Sequence, residues 1–517
     1  MRSRRVTAIT FKLEFAEGLS IVEPLREDLE QRIDPDRHTT IPVASGPDGS
    51  PIVMGTSVVG PLRTHLHRYV VQPEVELWFK TISPWDPGAK ATWTRRAATL
   101  ADLLCGSEPD EIKPKKLPPA GDDTPAEADP KRALRPSALR VLYVKVGDTV
   151  RGTTARTAIN RRSGVGEAGK LFQRDHLETA EVDVVVAVDL SILDAVIQDV
   201  RTDSATTVPT SANLVNDLVV ALSGWKPNVG GLGGVGFGKA ELTALKHGTK
   251  DPIDPVTLFS ASSTVELYRG LAQSETVGKL ATSVKQDNGD PWCLPLTFTA
   301  TDPLYVSPKA EEGRDARANV RVTASTVLGS SWRGVLRSRC EFILRSVGVK
   351  ACETTVETCG ECPTCRLFGW SAPAATAGKP PGHVGLLRFS QSEIKFSQPE
   401  IKGSEIEEIP HVAIDRFSGG AADEKLYFHK AYLPGATVEL KIEQKDERRP
   451  VPVWGRQLLA LAIRDLSDGL IGLGSATTRG YGTLTTSKSL VDLLPRDGWV
   501  DSLIKEHPEY AEKEVLA

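Results

Sequence analysis

The sequence lacks any long apolar run. None of its apolar stretches approaches the roughly 18 residues that a helix needs to cross a bilayer, which argues against a membrane protein. The first residues, MRSRRVTAITFKLEFAEG, are basic and then alternate apolar with polar side chains, whereas a signal peptide would need an uninterrupted apolar core. This alternation indicates an opening β-strand, and we expect a cytoplasmic protein.

A net positive charge and an even number of cysteines are also missing. The 63 Lys and Arg residues are outnumbered by 67 Asp and Glu residues, so any binding of nucleic acid must come from local basic patches. Seven cysteines argue against the disulfide framework of a secreted domain. With 517 residues, 40% of them hydrophobic, the chain is long enough for two or three globular domains.

The chain contains an internal repeat. Four segments recur in the same order and at a nearly constant offset, which predicts a duplicated domain. The pairs are PIVMGTSVVGPLRTHL (51–66) and STVLGSSWRGVLRSRC (325–340), TAINRRSG (157–164) and VAIDRFSG (412–419), NLVNDLVVALSG (213–224) and WGRQLLALAIRDLSDG (454–469), and GLGGVGFGKAEL (231–242) and GLGSATTRGYGTLT (472–485).

Each copy reads as strand, loop, helix, long insertion, strand, helix, glycine-rich loop and strand. This order predicts an α+β, ferredoxin-like unit with an antiparallel sheet covered by helices. We expect a first domain over 1–250, a linker over 251–290 with a short helix around 264–284, and a second domain over 291–517. Residues 107–136 are rich in proline and charge, and this composition predicts a disordered insertion.

The first glycine-rich loop, PNVGGLGGVGFGKAEL (227–242), matches a dinucleotide-binding pattern and most of a P-loop pattern. It follows a helix and leads into a strand, the reverse of the order that either motif requires, and Ala240 stands where a P-loop needs Ser or Thr. Both nucleotide-binding interpretations of this loop therefore fail, and a nucleotide-binding or purely structural protein is left as the least favoured hypothesis. The repeated loop is either a tight turn without a ligand or a turn whose amides and neighbours hold phosphates and bases. The residues that would do so are Gly236, Phe237 and Lys239 in the first copy and Arg479, Gly480 and Tyr481 in the second.

Four cysteines form the pattern C-x6-C-x2-C-x2-C: Cys352, Cys359, Cys362 and Cys365. Such close thiols favour a closed, tetrahedral structural zinc site. An iron–sulfur cluster and unligated thiols are the alternatives. The first copy has a single cysteine, Cys105, at the corresponding place, and we expect Cys105, Cys293 and Cys340 to be packed as small apolar side chains.

The motif G-S-S-x-x-G-x-L-R, the A-I-D-R block, C-x-x-C-R-L-F-G and the terminal G-x-G…R-G-x-G loop together resemble the RAMP superfamily, and more narrowly the backbone subunits of type III CRISPR effector complexes. Two fused copies look like the tandem backbone proteins of the type III-D group. The resemblance implies two RRM-like or ferredoxin-like RAMP domains with inserted thumb hairpins and a zinc knuckle in the second. It further implies a role in antiviral defence with guide RNA, target RNA, other RAMP subunits and a large polymerase/cyclase-type subunit as partners.

By the same resemblance, each domain would grip guide RNA at the start of its first helix. Serine and threonine there would cap the helix, the backbone amides of its first turn would face a phosphate, and an arginine would follow on the same face. The alternative is an ordinary helix cap that contacts no RNA. The matching residues are Gly55, Thr56, Ser57 and Arg63, and Gly329, Ser330, Ser331, Arg333 and Arg337. The thumbs would follow Ile159 and Ile414 and carry Arg161, Arg162 and Arg416, unless these segments are merely solvated hairpins.

Cleaving members of this family carry an aspartate in the loop before that helix, and a divalent metal, Mg or Mn, would assist. This sequence departs from the pattern, with Thr40 in the first copy and Ala318 or Asn319 in the second. The nearest acidic substitutes are Asp36, then Asp34, in the first loop and Asp315 in the second, although a loop carboxylate can equally be solvated. The alternative function is a stand-alone guide-processing ribonuclease without a metal, for which His65 and His67 are the candidate histidines.

Overall fold

The computed structural model describes residues 5–21, 40–72, 75–81, 92–106, 135–159, 166–203, 209–250, 261–275, 284–286, 292–308, 320–352, 359–370, 382–396, 405–415, 417–445 and 449–511. Most of the predicted disordered insertion and several predicted site residues lie outside these ranges. Those site residues are Asp34, Asp36, Arg161, Arg162, Asp315 and Arg416.

Helices are separated by runs of strands along the described parts of the chain. The helices are α1 Gly55–Leu66, α2 Leu100–Leu104, α3 Leu190–Asp203, α4 Ser211–Ser223, α5 Thr264–Leu271, α6 Gly329–Ser346, α7 Pro363–Phe368, α8 Val453–Ser467 and α9 Trp499–Glu506. The strands of the first part are β1 Val6–Phe15, β2 Thr40–Ile41, β3 Tyr69–Val71, β4 Glu76–Thr81, β5 Thr92–Ala97, β6 Leu139–Val146, β7 Arg151–Ile159, β8 Gly166–Leu177, β9 Ala180–Asp189, β10 Glu241–Lys250, β11 Ser274–Glu275 and β12 Val284–Gln286. Those of the second part are β13 Cys293–Ala300, β14 Val320–Arg321, β15 Thr326–Val327, β16 Gly369–Trp370, β17 His383–Val384, β18 Leu387–Phe389, β19 Ser392–Phe396, β20 Ile406–Ile414, β21 Ala421–Tyr432, β22 Ala436–Gln444 and β23 Leu484–Thr485.

The first half is built on an antiparallel sheet with the strand order β11-β10-β1-β9-β6. Alternate residues of β1 and β9 face opposite sides, as strand geometry requires. One side packs on α1 and α4, with Phe11 and Leu13 in the same core as Leu62 and Leu218. The other side is covered by α5, so that even-numbered positions of β1 such as Val6 are also buried. The first residues of β1 are therefore buried on both faces, whereas Lys12 and Glu14 further along are not.

The second half is built on a sheet with the order β15-β19-β22-β13-β23, in which β18 also pairs with β22. Buried and exposed residues alternate along β13, so only one face of this strand is covered. That face packs on α6 and α8. The helix α6 contributes Trp332, Leu336, Cys340 and Leu344, whose spacing of four residues places them on one side of the helix.

Both halves have the same sheet topology. In chain order, the four principal strands are β1, β6, β9 and β10 in the first half and β13, β19, β22 and β23 in the second. Across each sheet they lie in the order fourth, first, third, second, which is the ferredoxin-like arrangement. The predicted α+β class is confirmed, and each sheet has its own apolar core. The exact domain boundaries stay a prediction.

A long β-hairpin stands between the second and third principal strands of each half, where the thumbs were expected. The first hairpin is β7–β8 and the second is β20–β21. Each is tied to the chain after the first strand by a reciprocal pair of backbone hydrogen bonds, Leu19 with Leu177 and Leu304 with Tyr432. Each also receives a short parallel strand, with Thr40 opposite Gln173 and Val320 opposite Phe428. These insertions are thus built in the same way.

The helix expected around 264–284 is shorter than predicted. It begins at Thr264 as expected but ends at Leu271, because Ala272 leaves the helical conformation and Ser274–Glu275 pair with Lys246 and His247 of β10. Among the described residues, no helix combines the length and the apolar character needed to span a membrane.

Candidate functional site

The two glycine-rich loops adopt the same backbone conformation. Leu232 and Ala476 have positive φ angles of 60° and 61°, and each precedes one 3-10 turn, over Gly233–Val235 and Thr477–Arg479. Glycines with positive φ, Gly236 and Gly480, end the turns. Three backbone hydrogen bonds of the first loop recur in the second. In the first loop they run from Val229 N–H to Gly238 O, from Gly231 N–H to Ser20 O and from Gly238 N–H to Gly18 O. Their counterparts in the second loop run from Leu473 N–H to Gly482 O, from Ser475 N–H to Tyr305 O and from Gly482 N–H to Pro303 O. We call the two loops the first and the second glycine turn.

Two glycines of the second glycine turn provide a matched test of why the loop needs this residue. Both have left-handed φ angles, 80° at Gly480 and 77° at Gly482, but a Cβ at Gly482 would lie 2.0 Å from the Leu473 carbonyl oxygen, whereas one at Gly480 would meet nothing within 4 Å. Gly480→Ala should cost about 1–2 kcal/mol of unfolding free energy from the φ angle alone. Gly482→Ala should cost clearly more, because the clash opens the loop. Urea unfolding of both variants checks this, and equal losses would contradict it.

The helices α1 and α6 begin where the motifs predict, but the predicted side-chain caps are wrong. The N-cap residues are Met54 and Leu328, and neither cap makes a side-chain hydrogen bond. The serines and threonine lie inside the first turn, because each helix begins at the preceding Gly and the extended residue before that Gly is the N-cap. Gly55 and Ser57 are half-buried, Thr56 is exposed, Gly329 is buried, and Ser330 and Ser331 are half-buried.

Two of the arginines predicted to contact RNA are held inside the protein. Arg337 is 8% exposed; it donates from Nε to Glu341 Oε1 at 3.0 Å and from Nη1 to the carbonyl of Gly369 at 2.9 Å. Arg63 donates in the same manner to the carbonyl of Gly106 at 3.0 Å. Gly106 and Gly369 both have positive φ. These arginines hold matching turns in the two halves, whereas Arg333 is exposed and donates to the Phe368 carbonyl.

The first glycine turn lies against the start of α6. A Cβ at Gly329 would come within 3.1 Å of the Gly234 carbonyl oxygen, and one at Gly234 would lie 3.8 Å from the Ser330 backbone nitrogen. Beside this contact, Gln391 of the second half donates to Glu17 of the first. The first glycine turn and the start of α6, which were predicted separately as RNA-binding segments of the two halves, therefore lie together at one junction.

The aromatic residues of the glycine turns point inward. Phe237 is 1% exposed and packs on His176, with ring centroids 4.5 Å apart, and Tyr481 is 4% exposed. Gly236 is buried, while Lys239, Arg479 and Gly480 are exposed. The exposed basic side chains, not the rings, are thus the parts of the turns that face solvent.

The four clustered cysteines fit a tetrahedral metal site. Their sulfur atoms all lie within 4.8 Å of one another. From Cys352 Sγ, the other three sulfurs are 3.7, 3.6 and 3.4 Å away, close to the roughly 3.8 Å edge of a tetrahedron with Zn–S bonds of about 2.3 Å. The Arg337 guanidinium donates to Cys365 Sγ at 3.4 Å, which stabilises thiolate. The set can bind a zinc ion with all four positions filled.

The remaining cysteines are only partly as predicted. Cys105 and Cys340 are buried; burial raises the pKa of Cys105 to about 12 and that of Cys340 well above its ordinary value. The expectation that Cys293 is packed is wrong. It is exposed, because it lies on the uncovered face of β13.

His65 and His67 belong to the interior of the first half. His65 Nε2 lies 2.8 Å from the Ala221 carbonyl oxygen, and burial lowers the pKa of His65 to about 4. His67 is 6% exposed, with Nδ1 3.0 Å from Thr99 Oγ1. A ribonuclease mechanism without a metal needs an accessible histidine, so neither residue supports that alternative.

A cluster of rings at the base of the second hairpin was not predicted from the sequence. Tyr305 and His429 are stacked with centroids 4.4 Å apart, and His411 and Tyr427 with centroids 5.3 Å apart. His411 Nε2 lies 2.7 Å from Tyr481 Oη. We call these five residues the hairpin-base cluster. The one available signal is that Tyr427 and His429 are two residues apart on β21 and so share a face.

Cations surround the hairpin-base cluster. Arg321 and Arg479 place their Cζ atoms 5.4 and 5.9 Å from the centroid of the Tyr427 ring. Burial is the main cause that lowers the pKa of His429 to about 4, and His411 and these two arginines lower it further. Burial and Arg479 also lower the pKa of His411. The charged neighbours that shift these two pKa values include no carboxylate among the described residues. Both imidazoles are neutral at physiological pH.

Acidification should destabilise the protein through its buried histidines. The pKa values of His65 and His429 are each about 4, below the ordinary 6.5, so the unfolded chain binds these protons more tightly. Their stabilising contribution is complete above about pH 6.5 and is lost as the pH falls towards 4, by at most about 3 kcal/mol for each histidine. Thermal unfolding between pH 7 and 5 measures this. His429→Phe should reduce the pH dependence, and an unchanged slope would contradict the assignment.

One family comparison matches a segment within the second half. Residues 309–485 match the family model described as the RAMP superfamily. The matched segment includes α6, the four clustered cysteines, the second hairpin and the second glycine turn. No curated protein matches the chain. The match supports a CRISPR-associated RNA-binding function, which agrees with the resemblance of the sequence motifs.

Proposed function

We propose that the chain is a guide-RNA-binding backbone subunit of a type III, III-D-like, CRISPR effector complex, built from two tandem RAMP domains. The first domain would span 1–250 and the second 291–517, joined by 251–290. The family match covers the second half only. Support for the first comes from its identical strand order, its matching hairpin and its glycine turn of the same conformation.

The contact between the first glycine turn and the start of α6 carries this proposal. A helix start has partial positive charge and aligned amides, and a glycine turn lets a ligand approach the backbone closely. With these two features side by side, a phosphate backbone can pass from one half to the next without a break. Exposed Lys239 and Arg333 would supply the local positive charge that a chain of net charge −4 needs.

In this proposal the remaining partners are target RNA paired to the guide, other RAMP subunits and the large polymerase/cyclase-type subunit, in the cytoplasm. The loops proposed to cut target RNA end beside the hairpins, since Thr40 pairs with the first hairpin and Val320 with the second. Asp36 or Asp34 in one loop and Asp315 in the other would be the catalytic carboxylates, with Mg or Mn.

The guide-binding role is tested by purifying the chain from cells that carry its CRISPR locus and extracting its RNA. We expect a short RNA of uniform length. The double charge reversal Lys239→Glu, Arg333→Glu should reduce the bound RNA at least tenfold, because it removes two phosphate contacts and adds repulsion. Lys395→Glu, at an exposed position on β19, is the control and should leave it unchanged. Absence of RNA in the unaltered protein would refute the proposal.

The cutting role is tested separately on the assembled complex with end-labelled complementary RNA and Mg. Cuts at a fixed spacing are expected, with Asp36→Ala and Asp315→Ala each removing a different subset. If both variants leave every cut in place, the catalytic assignment is wrong even though the guide-binding role stands.

A further inference from the structure

The hairpin-base cluster has a composition suited to a nucleotide. Tyr427 and His411 are half-buried and stacked, and Arg321 and Arg479 next to them are exposed. Stacking on aromatic rings and arginine planes is how proteins bind unpaired bases, and guanidinium groups bind phosphate. Arg479 donates to Tyr427 Oη, but a guanidinium has five N–H donors and so can bind a further acceptor.

We propose that this cluster binds one unpaired nucleotide of RNA, with the base against the Tyr427–His411 pair and the phosphate on Arg321 and Arg479. This inference rests on the proposed RNA-binding function. It adds a site at the hairpin base, apart from the junction contacts of the first glycine turn and α6. Arg321 and Arg479 both lie beside the Tyr427 ring, so an anionic ligand between them relieves the repulsion between these two cations.

His429 is the second observation that points to a ligand. Its side chain is 2% exposed, and neither ring nitrogen has a hydrogen-bond partner among the described residues. A buried polar group without a partner costs free energy, and native proteins rarely tolerate one. Its ring contacts both Tyr427 and Tyr481, so it adjoins the proposed stacking surface.

The pair of Tyr305 and His429 has no counterpart in the first half. The matching backbone bonds of Leu19 with Leu177 and Leu304 with Tyr432 align the halves, so that Ser20 corresponds to Tyr305 and Arg174 to His429. The first half therefore lacks the stacked pair of Tyr305 and His429. We expect the two halves to differ in base contacts although they share their backbone contacts.

The full chain is first freed of co-purified RNA by high salt. Its affinity is then measured for a fluorescent single-stranded RNA and for an abasic ribose-phosphate oligomer of equal length. Tyr427→Ala should weaken RNA binding by about five- to 150-fold, the usual range for one stacked base, and leave the abasic oligomer within about twofold. Tyr427→Phe should bind both like the unaltered chain. The pair Arg321→Ala, Arg479→Ala should weaken both.

Leu426→Ala, half-exposed on the opposite face of β21, is the matched control and should change neither affinity. Thermal unfolding identifies any variant that fails to fold. If Tyr427→Ala does not fold, the pair Arg321→Ala, Arg479→Ala carries the test, and unchanged binding of both oligomers by that pair would contradict the site. If the unaltered chain binds RNA and Tyr427→Ala binds it equally well, or loses both oligomers equally, the nucleotide site is refuted while RNA binding stands. If the unaltered chain binds neither oligomer, the proposed function fails as well.

Discussion

Replacement of Cys362 by serine is expected to unfold the second half of the chain and leave the first half folded. Cys362 is fully buried, and α7 begins directly after it, so loss of its thiolate removes the metal and releases the segment around residues 359–370. Zinc binding to such a site contributes about 10–16 kcal/mol in small zinc domains, which is comparable to the whole stability of an ordinary domain. Each sheet has its own core, so the effect should be confined to one half.

Differential scanning calorimetry together with metal analysis measures this result. The unaltered protein should contain one zinc per chain, and Cys362→Ser should contain none and lose one of its unfolding transitions. Cys293→Ser, at an exposed cysteine, is the control and should keep both. A brown colour with bound iron would favour the iron–sulfur alternative. Full metal content with an unchanged unfolding profile in Cys362→Ser would refute the site.

The second large effect is expected for Arg337→Ala, which should cost about 3–5 kcal/mol of unfolding free energy. The substitution leaves the Glu341 carboxylate buried without its cation and the Gly369 carbonyl without this donor. Arg63→Ala should cost less, about 1–2 kcal/mol, because Arg63 is followed four residues later by His67 instead of a glutamate. Urea unfolding of the two variants measures the difference.

The same pair of variants decides what the arginines of the motif do. If they support turns, RNA affinity per folded molecule should stay within about twofold in both variants. The double variant Arg337→Met, Glu341→Leu should recover most of the stability that Arg337→Ala loses, since it removes both buried charges together. A large loss of RNA affinity in folded Arg337→Ala would show that the sequence motif marks a contact after all.

The repeat made much of the fold predictable from the sequence. Its four paired segments fix the order of strands and helices, and that order leaves few ways to arrange a ferredoxin-like sheet. The starts of α1 and α6 and the presence of the two glycine turns depend on local sequence, so they were found, although the backbone hydrogen bonds pair Gly231 with Ser475 and not with Gly472. Cys352, Cys359, Cys362 and Cys365 could be recognised because they lie within one short segment.

Features that depend on distant residues could not be found in this way. The motif indicates that Arg337 lies on a helix, but only the fold places the Gly369 carbonyl beside it and turns the side chain inward. The hairpin-base cluster is assembled from a loop after β13, two strands of a hairpin and the second glycine turn. No periodicity connects Tyr305, His411 and Tyr481. The helix caps were mispredicted because Ser and Thr favour caps in general, whereas here extended Met54 and Leu328 occupy that position.

The contact between Gly234 and the start of α6 has a further geometric meaning. It joins two unlike surfaces, a turn from one half and a helix start from the other, so the halves are related head to tail and not by a twofold axis. The chain consequently has a direction: at one end it presents the start of α1, and at the other it presents the second glycine turn. A directional polymer such as RNA, lying across both halves, would meet a helix start and a glycine turn in the same order in each half.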